Sequence, residues 1–553
     1  MTLNEADTRA KLIDPALHSS GWTEDSIKRE ESAGATEIIN GVPRKVTGRA
    51  DYTLRVKISP SAQPLALGLI EAKAENLPPG HGLQQAKSYA SVKRLNVPFV
   101  FSSNGKQFVE YDNFTGYIHA PRPMSEFPSP DELRQRYEQG KGFTLDSESA
   151  KPLITPYSKG EGGRRYYQDA AIRAVFEKIA KGENRALLTL ATGAGKTYIA
   201  VNLLKRIADS GQLRKALFLC DRDELRSQAL SAFQNEFASD AAAAYHGDSV
   251  KNARVIVATY QTLGVDTEEG DSSFLTNHYP ENYFSHIIID ECHRSAWGKW
   301  SEVLHRNNDA IQIGLTATPR QFEYTEDTDA AKDDQKITAD NMKYFGEPVY
   351  EYSIGQGIED GYLAAMEIIR TNTFINRNAD TEQETGLRRV DLEGTKIVDA
   401  LTGEEKSAED VSDEYSAGSF ESQILLPGRV SSWCKSFFEY LAASGNPEQK
   451  TIIFCVRDRH ADDIANELNN IYIQWCNDNN RTPAQDFAFK CTAASGKEFL
   501  ADIRGSSRHH FIATTVDLLT TGVDVPPVVN IVFFRYVNSP IAFYQMVGRG
   551  TRL

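Results

Sequence analysis

Short apolar runs recur along the chain from residue 186 onward, separated by amphipathic segments of helix length. A first series of runs occupies 186–190, 215–220, 255–259, 286–290 and 311–316. A second series occupies 451–455, 511–515 and 530–534. Continuous apolar strands that alternate with helices are typical of parallel sheets covered on both faces. The pattern therefore predicts an α/β fold with two parallel-sheet units in succession.

The first 130 residues follow a different pattern. Strands are predicted over 52–56 and 67–73, a helix is predicted around 85–89, and several prolines between 121 and 130 close the segment. The polar stretch from there to Gly160-Glu-Gly-Gly has the composition of a flexible linker. These boundaries predict three domains, namely residues 1–150 with the linker, 151–368 and 369–553.

The charge of the chain is unevenly distributed. The 553 residues carry a formal net charge of −15, yet residues 320–420 alone hold 24 Asp and Glu against 10 Lys and Arg. This stretch predicts an acidic insertion of solvated loops near the start of the third domain. The rest of the chain is nearly neutral. The acidic total therefore argues against a protein that coats nucleic acid, but not against a local basic groove.

The remaining composition narrows the class of protein. Hydrophobic residues make up 40% of the chain and charged residues 25%, as in ordinary globular domains. The six cysteines form no CxxC pair, which excludes a zinc ribbon and a disulfide framework. The polar start and the lack of an apolar run of about 20 residues argue against a secreted or membrane-spanning protein. We therefore expect a cytoplasmic protein.

A glycine-rich turn follows the first apolar run. The segment Leu190-Ala-Thr-Gly-Ala-Gly-Lys-Thr lies between a predicted strand and a predicted helix, which is the context of a phosphate-binding loop. Leu190 stands where the strict pattern has Gly. Lys196 is expected to reach the β- and γ-phosphates of a nucleotide, and the Thr197 hydroxyl to bind Mg²⁺. The predicted phosphate-binding residues are Thr192, Gly193, Ala194, Gly195, Lys196 and Thr197.

Two acids end the fourth apolar run of the first series, in Ile287-Ile-Ile-Asp-Glu-Cys-His. Asp290 can hold Mg²⁺ through water, and Glu291 can polarise an attacking water. A surface acidic pair is the alternative, but the wholly apolar run that precedes the acids disfavours it. Together with Lys196, these residues predict ATP hydrolysis with Mg²⁺.

These motifs resemble those of superfamily 2 helicases and translocases, and the resemblance covers most of the chain from Arg165 onward. It implies two RecA-like motor domains. In that family the motif matched by Ala258-Thr-Tyr-Gln-Thr-Leu contacts DNA. The resemblance assigns adenine recognition to Gln168, ATP binding to Gly522 and Asp524, coupling of hydrolysis to movement to Thr316, Thr318 and Gln545, and stabilisation of the γ-phosphate charge to Arg549 and Arg552.

A second set of chemical residues lies in the first domain. Asp51 begins one predicted strand, and Glu71 and Lys73 end another. Two converging carboxylates can bind Mg²⁺, and a neighbouring lysine can orient or activate water for phosphodiester hydrolysis. The arrangement resembles the PD-(D/E)xK nuclease fold. The alternative is a structural salt bridge between Glu71 and Lys73 on an edge strand.

The helix predicted after these strands supports the nuclease interpretation. Gln85 and Tyr89 lie one turn apart on a single helix face and resemble the QxxxY motif of one nuclease branch. A further acid at such sites often comes from the first helix of the fold. The sequence offers Glu5 and Glu30 and does not select between them.

A nuclease-like domain that precedes a superfamily 2 motor resembles the restriction (R) subunit of type I restriction–modification enzymes. Type III restriction subunits carry the nuclease after the motor. The resemblance implies an ATP-dependent endonuclease that translocates double-stranded DNA and works with separate methyltransferase and specificity subunits. R subunits continue beyond the last motor motif, so we expect this chain, which stops at Leu553, to be a fragment.

Two other functions fit parts of the sequence. The first is an ATP-dependent helicase or translocase whose nuclease-like domain only binds DNA. The second is a non-enzymatic DNA-binding scaffold with a degenerate motor, which is disfavoured because every motor motif keeps its chemical residues.

Overall fold

The structure is a computed structural model. It describes residues 2–32, 37–39, 42–44, 49–91, 94–160, 164–221, 223–245, 250–263, 273–292, 297–317, 341–369, 376–377, 384–385, 387–388, 397–399, 405–406, 414–415, 424–492, 505, 509–516, 528–537 and 539–551. The described residues form two compact units, the first ending at Leu363 and the second beginning at Ala364. The expected domain boundary at residue 150 falls inside the first unit, so the three-domain division stays a prediction.

The first unit begins with a mixed sheet. Its strands and an adjacent hairpin are β1 (Ile27–Ser32), β2 (Glu37–Ile39), β3 (Val42–Arg44), β4 (Arg49–Val56), β5 (Leu65–Ala72), β6 (Phe99–Ser103), β7 (Gln107–Asp112), β8 (Tyr117–Ile118) and β9 (Arg122–Pro123). The sheet order is β1-β4-β5-β6-β7-β8, with β9 on β7 and with β2 paired to β3 separately. Only the β5–β6 pair is parallel among the described pairs of this sheet. β5 is thus an interior strand.

Helices cover this sheet. They are α1 (Glu5–Thr8), a π-helical turn (Arg9–Ile13), α2 (Asp14–Ser19), α3 (Leu83–Ala90), α4 (Pro130–Lys141) and α5 (Lys151–Ile154). The expectation of a flexible linker after residue 130 is therefore wrong for 130–154. The Ser129 hydroxyl caps α4 by accepting from the Glu132 N–H, and Leu133 and Tyr137, one turn apart, are fully buried. An apolar stripe of two residues is too weak to identify this helix in advance.

The second sheet of the first unit is entirely parallel, with the order β12-β13-β11-β14-β15-β10-β16. Its strands are β10 (Arg185–Leu190), β11 (Ala216–Cys220), β12 (Ala241–Ala243), β13 (Val255–Thr259), β14 (His286–Ile289), β15 (Ile311–Thr316) and β16 (Tyr350–Tyr352). Its helices are α6 (Tyr166–Ala180), α7 (Lys196–Asp209), α8 (Asp223–Phe237), α9 (Ser273–His278), α10 (Trp297–Arg306) and α11 (Ile354–Glu359). The first predicted series of buried parallel strands is confirmed.

One hydrophobic core joins the two sheets of the first unit. It includes Phe99 and Tyr137 from the N-terminal part and Tyr167 and Leu188 from the parallel-sheet part. A second cluster, with Leu187 and Ile287, covers the other face of the parallel sheet. The N-terminal sheet and the parallel sheet are therefore packed as one body.

The second unit contains another parallel sheet, in the order β25-β26-β24-β27. Its strands and helices are β24 (Thr451–Phe454), β25 (Ala488–Lys490), β26 (Ile512–Thr515), β27 (Asn530–Phe533), α12 (Pro427–Ala443), α13 (Asp458–Asp478) and α14 (Pro540–Val547). Short strands precede it at β17 (Asn376–Arg377), β18 (Glu384–Thr385), β19 (Leu387–Arg388), β20 (Ile397–Asp399), β21 (Glu405–Lys406), β22 (Glu414–Tyr415) and β23 (Ile424–Leu425). The second predicted strand series is confirmed. No helix in the described part of the chain has both the length and the apolarity to span a membrane.

Candidate active sites

The glycine-rich loop connects the end of β10 to the start of α7. Gly193 and Gly195 have φ angles of 84° and 85°, in the left-handed region that a β-carbon disfavours. A β-carbon on Gly195 would also lie 2.8 Å from Nε2 of Gln168. Thr192 and Ala194 are buried in the loop, and Thr197 is half-buried in the first turn of α7. The backbone thus takes the shape of a phosphate-binding loop at a helix N-terminus.

α6 holds this loop from one side. Gln168 Nε2 donates to the Ala194 carbonyl at 3.3 Å, and the Tyr167 hydroxyl donates to the same oxygen at 2.7 Å. Gln168 Oε1 accepts from the Arg165 N–H at 3.3 Å. The predicted adenine-reading residue therefore lies directly against the predicted phosphate loop.

The acidic pair faces the lysine of the loop. Lys196 Nζ lies 3.0 Å from Glu291 Oε1, and the Glu291 N–H donates to Asp290 Oδ1 at 3.1 Å. Asp290 is 5% exposed, and its burial, with the charge of Glu291 in addition, raises its pKa. β14, β15 and β10 are neighbours, so Asp290, Thr316 and the loop all lie at the carboxyl edge of one sheet. The buried Asp290 and the half-buried Glu291, with one lysine, form a site whose oxygens are suited to a divalent cation.

The remaining motor residues are only partly described. Gln545 on α14 and Arg549 just after it are both buried in the second unit. Thr318, Gly522, Asp524 and Arg552 lie outside the described residues.

The segment that resembles a DNA-contacting motif follows β13. Its threonines face inward: Thr259 Oγ1 and Thr262 Oγ1 are 3.0 Å apart, and Arg226 donates to Thr262 Oγ1 at 3.1 Å. Gln261 is exposed between them. Within this motif, Gln261 is thus the side chain available to an outside ligand.

The second candidate site lies in the N-terminal sheet. β4 and β5 pair with Tyr52 opposite Ile70, which places Asp51 beside Glu71. Lys73, directly after β5, brings its Nζ to 2.7 Å from Glu71 Oε1. The predicted Glu71–Lys73 ion pair exists, but it lies on an interior strand, which argues against the edge-strand alternative.

Burial sets the electrostatics of this site. Burial, with the charge of Asp51 in addition, raises the pKa of Glu71 to about 7, although Lys73 offsets part of the effect. Burial also raises the pKa of Asp51. The Ala72 N–H donates to Asp51 Oδ2 at 2.7 Å, and this hydrogen bond offsets part of the rise. Burial lowers the pKa of Lys73, but its carboxylate neighbours outweigh that effect and raise it. Lys73 is therefore a cation, suited to stabilising charge rather than to accepting a proton.

α3 presents the predicted supporting residues to this lysine. Gln85 Oε1 lies 3.5 Å from Lys73 Nζ, and Gln85 Nε2 donates to the Tyr89 hydroxyl at 3.2 Å. The structure also separates the two candidate acids. Glu5 Oε2 lies 3.7 Å from Lys73 Nζ, whereas Glu30 pairs with Arg49 and Arg9 on the surface. Glu5 is thus the acid that joins the site.

Sequence reasoning missed two residues of this site. Arg9 Nη1 lies 3.2 Å from Asp51 Oδ1, although the two are 42 positions apart. A β-carbon on Gly82 would lie 2.7 Å from Cγ of Glu71 and 2.8 Å from Cε of Lys73. The position of Gly82 before a predicted helix was the only available signal, and it pointed to a helix start rather than to close packing.

The carboxylates fit a divalent cation. Glu71 Oε2 is buried and accepts no hydrogen bond from the described residues, so a cation would satisfy it. The described residues contain no group of three or more His, Cys, Asp or Glu arranged for a metal ion. Asp51 and Glu71 would therefore share such an ion with water or with phosphate oxygens.

Comparison with known proteins identifies the family. Residues 162–321 match the model for "Type III restriction enzyme, res subunit", and 434–553 match "Helicase conserved C-terminal domain". The endonuclease subunits of the Escherichia coli type I restriction enzymes EcoAI and EcoKI are 32% and 27% identical over all of this chain. A solved fragment described as an HsdR subunit of a type I restriction enzyme from Vibrio vulnificus YJ016 is 30% identical, with a TM-score of 0.72 over 100% of this chain and 91% of that one. This chain belongs to the type I restriction endonuclease (HsdR) subunit family.

The similarity to the HsdR family includes the N-terminal sheet as well as both helicase-type segments, because it covers the whole chain. The family model named for type III enzymes matches only the first helicase-type segment. This HsdR-family chain spans 64% of the length of the EcoAI subunit and 51% of the EcoKI subunit.

Proposed function

We propose that this chain hydrolyses ATP to translocate double-stranded DNA and cleaves that DNA at a metal-dependent nuclease site. One observation carries the proposal: a single packed unit holds both the Lys196–Glu291 pair at a phosphate loop and the Asp51–Glu71–Lys73 group on an interior sheet. The proposed partners are the methyltransferase and specificity subunits of a type I restriction complex.

For ATP hydrolysis, the ammonium group of Lys196 would bind either Glu291 or the phosphates of the nucleotide. The ammonium group of Lys196 lies 3.0 Å from Glu291 Oε1. Triphosphate oxygens carry more charge than one carboxylate, so Lys196 would turn to them and release Glu291 to orient the attacking water. Thr197 and Asp290 would hold Mg²⁺, which neutralises charge on the phosphate oxygens when bound. Arg549 and Arg552 are proposed to stabilise the transition-state charge.

For DNA cleavage, Asp51 and Glu71 would hold Mg²⁺, which supplies an activated water and polarises the phosphate when bound. Lys73 stabilises the added negative charge on the phosphate, because its ammonium group stays protonated between several carboxylates. Gln85 and Tyr89 orient that ammonium group through the contacts on α3.

The test compares Lys196→Ala with Asp51→Ala, measuring DNA-stimulated ATP hydrolysis by the chain and plasmid cleavage with added methyltransferase and specificity subunits. We expect Lys196→Ala to abolish both activities. We expect Asp51→Ala to retain ATP hydrolysis and to lose cleavage by about 100-fold or more, since it removes a metal ligand.

Matched controls are Lys205→Ala, a half-buried residue of α7 paired with Asp209, and Asp7→Ala, a half-buried residue of α1 paired with Lys11. Both controls should behave as the parent. Parent-like cleavage by Asp51→Ala would leave the N-terminal part as a DNA-binding module, and parent-like hydrolysis by Lys196→Ala would refute the motor.

A further inference from the structure

Tyr198 is an aromatic residue in the first turn of α7, directly after Lys196 and Thr197. It is 41% exposed, whereas the next residue along the helix, Ile199, is fully buried. Single exposed aromatic residues are common on protein surfaces, so exposure alone does not indicate a binding site. The feature to explain is that this exposed ring stands at the end of the glycine-rich loop.

Gln168 on α6 and Tyr198 on α7 both lie against Gly195. A β-carbon on Gly195 would be 2.8 Å from Nε2 of Gln168 and 3.7 Å from Cβ of Tyr198. Because glycine has no side chain, the two residues approach it this closely from α6 and from α7. A ligand that contacts the amide group of Gln168 at this loop would therefore lie close to the Tyr198 side chain.

The amide group of Gln168 keeps part of its hydrogen-bonding capacity. Its Nε2 donates to the Ala194 carbonyl, and its Oε1 accepts from the Arg165 N–H. A glutamine amide has two N–H donors and accepts two hydrogen bonds, so these contacts leave one donor and one acceptor. A glutamine donor and acceptor together match the N7 atom and the 6-amino group of adenine. The amide is thus suited to an adenine base beside the loop.

Tyr198 is restrained on the helix but stays open to a ligand. Asn202, one turn further along α7, donates to the Tyr198 carbonyl at 2.8 Å and also hydrogen-bonds to the Tyr198 side chain. Arg164, a cation whose charge acts on Tyr198, has its guanidinium group over the ring of Tyr157, at 3.5 Å from the ring centre. Arg164 therefore stacks on Tyr157 and leaves the Tyr198 ring to another partner.

We propose, on the basis of the proposed ATP hydrolysis, that the Tyr198 ring stacks on the adenine base of ATP. Gln168 would hydrogen-bond to the edge of the base, and Tyr198 would cover one of its faces. An aromatic ring stacks on any base, because every base has a π face, whereas the hydrogen bonds of a glutamine favour adenine. Tyr198 would therefore give the base, and not only the triphosphate, a part in nucleotide binding.

Two probes that share a triphosphate but differ in the base separate this role from binding of the phosphates. They are the β,γ-imido analogue of ATP, which resists hydrolysis, and inorganic tripolyphosphate, which has no base. Calorimetry with Mg²⁺ measures the dissociation constant of each probe for the full chain. We expect Tyr198→Ala to weaken binding of the imido analogue by about tenfold, since the aromatic–base stack is lost, and to leave tripolyphosphate binding within about twofold of the parent.

Tyr198→Phe keeps the ring, and it should bind the imido analogue within about threefold of the parent. The matched control is Tyr440→Ala, which removes a tyrosine from α12 of the second unit that is 45% exposed. This control should bind both probes as the parent does.

Unchanged binding of the imido analogue by Tyr198→Ala, or an equal loss for both probes, overturns the stacking. A loss in Tyr198→Phe as large as that in Tyr198→Ala also overturns it, because the effect would then belong to the hydroxyl group. If the parent binds neither probe, the proposed ATP hydrolysis fails together with the stacking. If the parent binds both probes with equal affinity, only the contribution of the base fails.

Discussion

Glu71 is a carboxylate placed where its charge is unfavourable. It is 3% exposed, one of its oxygens has no hydrogen-bond donor among the described residues, and its pKa is about 7. Such a position destabilises the folded chain near neutral pH, whereas under the proposed function the same carboxylate would bind a cation. Function and stability are therefore opposed at this residue.

We predict that Glu71→Gln stabilises the metal-free chain increasingly as the pH rises. The folded-state pKa of about 7 exceeds the unfolded value of 4.5, so the parent loses stability between these two values, because the unfolded chain releases the Glu71 proton there while the folded chain retains it. The loss is at most about 3 kcal/mol, and the glutamine variant escapes it. Thermal unfolding of both proteins at several pH values with a chelator measures the difference. A difference that stays constant from pH 4.5 to 8 would contradict the prediction.

A second prediction at the scale of single residues concerns Glu291. Its carboxylate lies 3.0 Å from the ammonium group of Lys196, which is proposed to bind the phosphates of ATP, so we expect ATP to compete with Glu291 for that group. Glu291→Gln should bind ATP more tightly than the parent, because the neutral amide holds the ammonium group less strongly. It should also hydrolyse ATP about 100-fold more slowly, because it cannot polarise the water. Nucleotide titration and single-turnover hydrolysis separate the two effects, and weaker ATP binding would refute the competition.

At the scale of elements, the turn before α3 determines how closely α3 approaches β5. The Gly82 N–H donates to Ser102 Oγ at 3.0 Å, and the space where a β-carbon would stand is filled by Glu71 and Lys73. The φ angle of Gly82 is −90°, which any residue can adopt. Glycine is therefore required here by the close packing and not by the backbone conformation.

We predict that Gly82→Ala reduces DNA cleavage by about 10- to 100-fold, because a displaced Glu71 or Lys73 loses its productive position. ATP hydrolysis should stay near the parent rate. Gly80→Ala is the matched control, since its β-carbon would meet only Val109, at an ordinary 3.5 Å. Equal cleavage by the two variants would show that this packing has no effect on the nuclease site.

At the scale of the whole molecule, the predictable part of the fold was the part made of continuous apolar strands. β10, β11 and β14 are buried along nearly their whole length and stand out in the sequence. β12 and β25 escaped prediction because three residues carry no periodicity. The glycine-rich turn between β10 and α7 was equally predictable, because its residues are adjacent in the sequence.

Contacts between distant segments were not predictable. Arg9, in the π-helical turn after α1, reaches Asp51 on β4 although the two are 42 positions apart, and no local pattern encodes that contact. Asp360 lies in the acidic stretch expected to be solvated, yet its side chain is fully buried and accepts from the hydroxyls of Tyr166 and Tyr352 and from Arg94 at 3.2 Å. The net charge of a segment therefore does not predict which of its residues are buried.

These long-range contacts lead to a prediction about cooperativity. Arg173 on α6 satisfies three carbonyls of the N-terminal part, and Asp360 binds Arg94 beside them. Because the two parts also share one core, they should unfold in a single transition.

Arg173→Ala should lower the stability of that unit by about 3 kcal/mol or more, since it leaves buried carbonyls without donors. It should also raise hydrogen exchange at residues 94–97 before exchange rises in β10, because the lost contacts lie at that segment. Calorimetry and site-resolved hydrogen exchange measure the two effects, with Lys181→Ala, an exposed residue just after α6, as the control. If residues 94–97 already exchange independently of β10 in the parent, the two parts are separate folding units and the contacts of Arg173 only dock them.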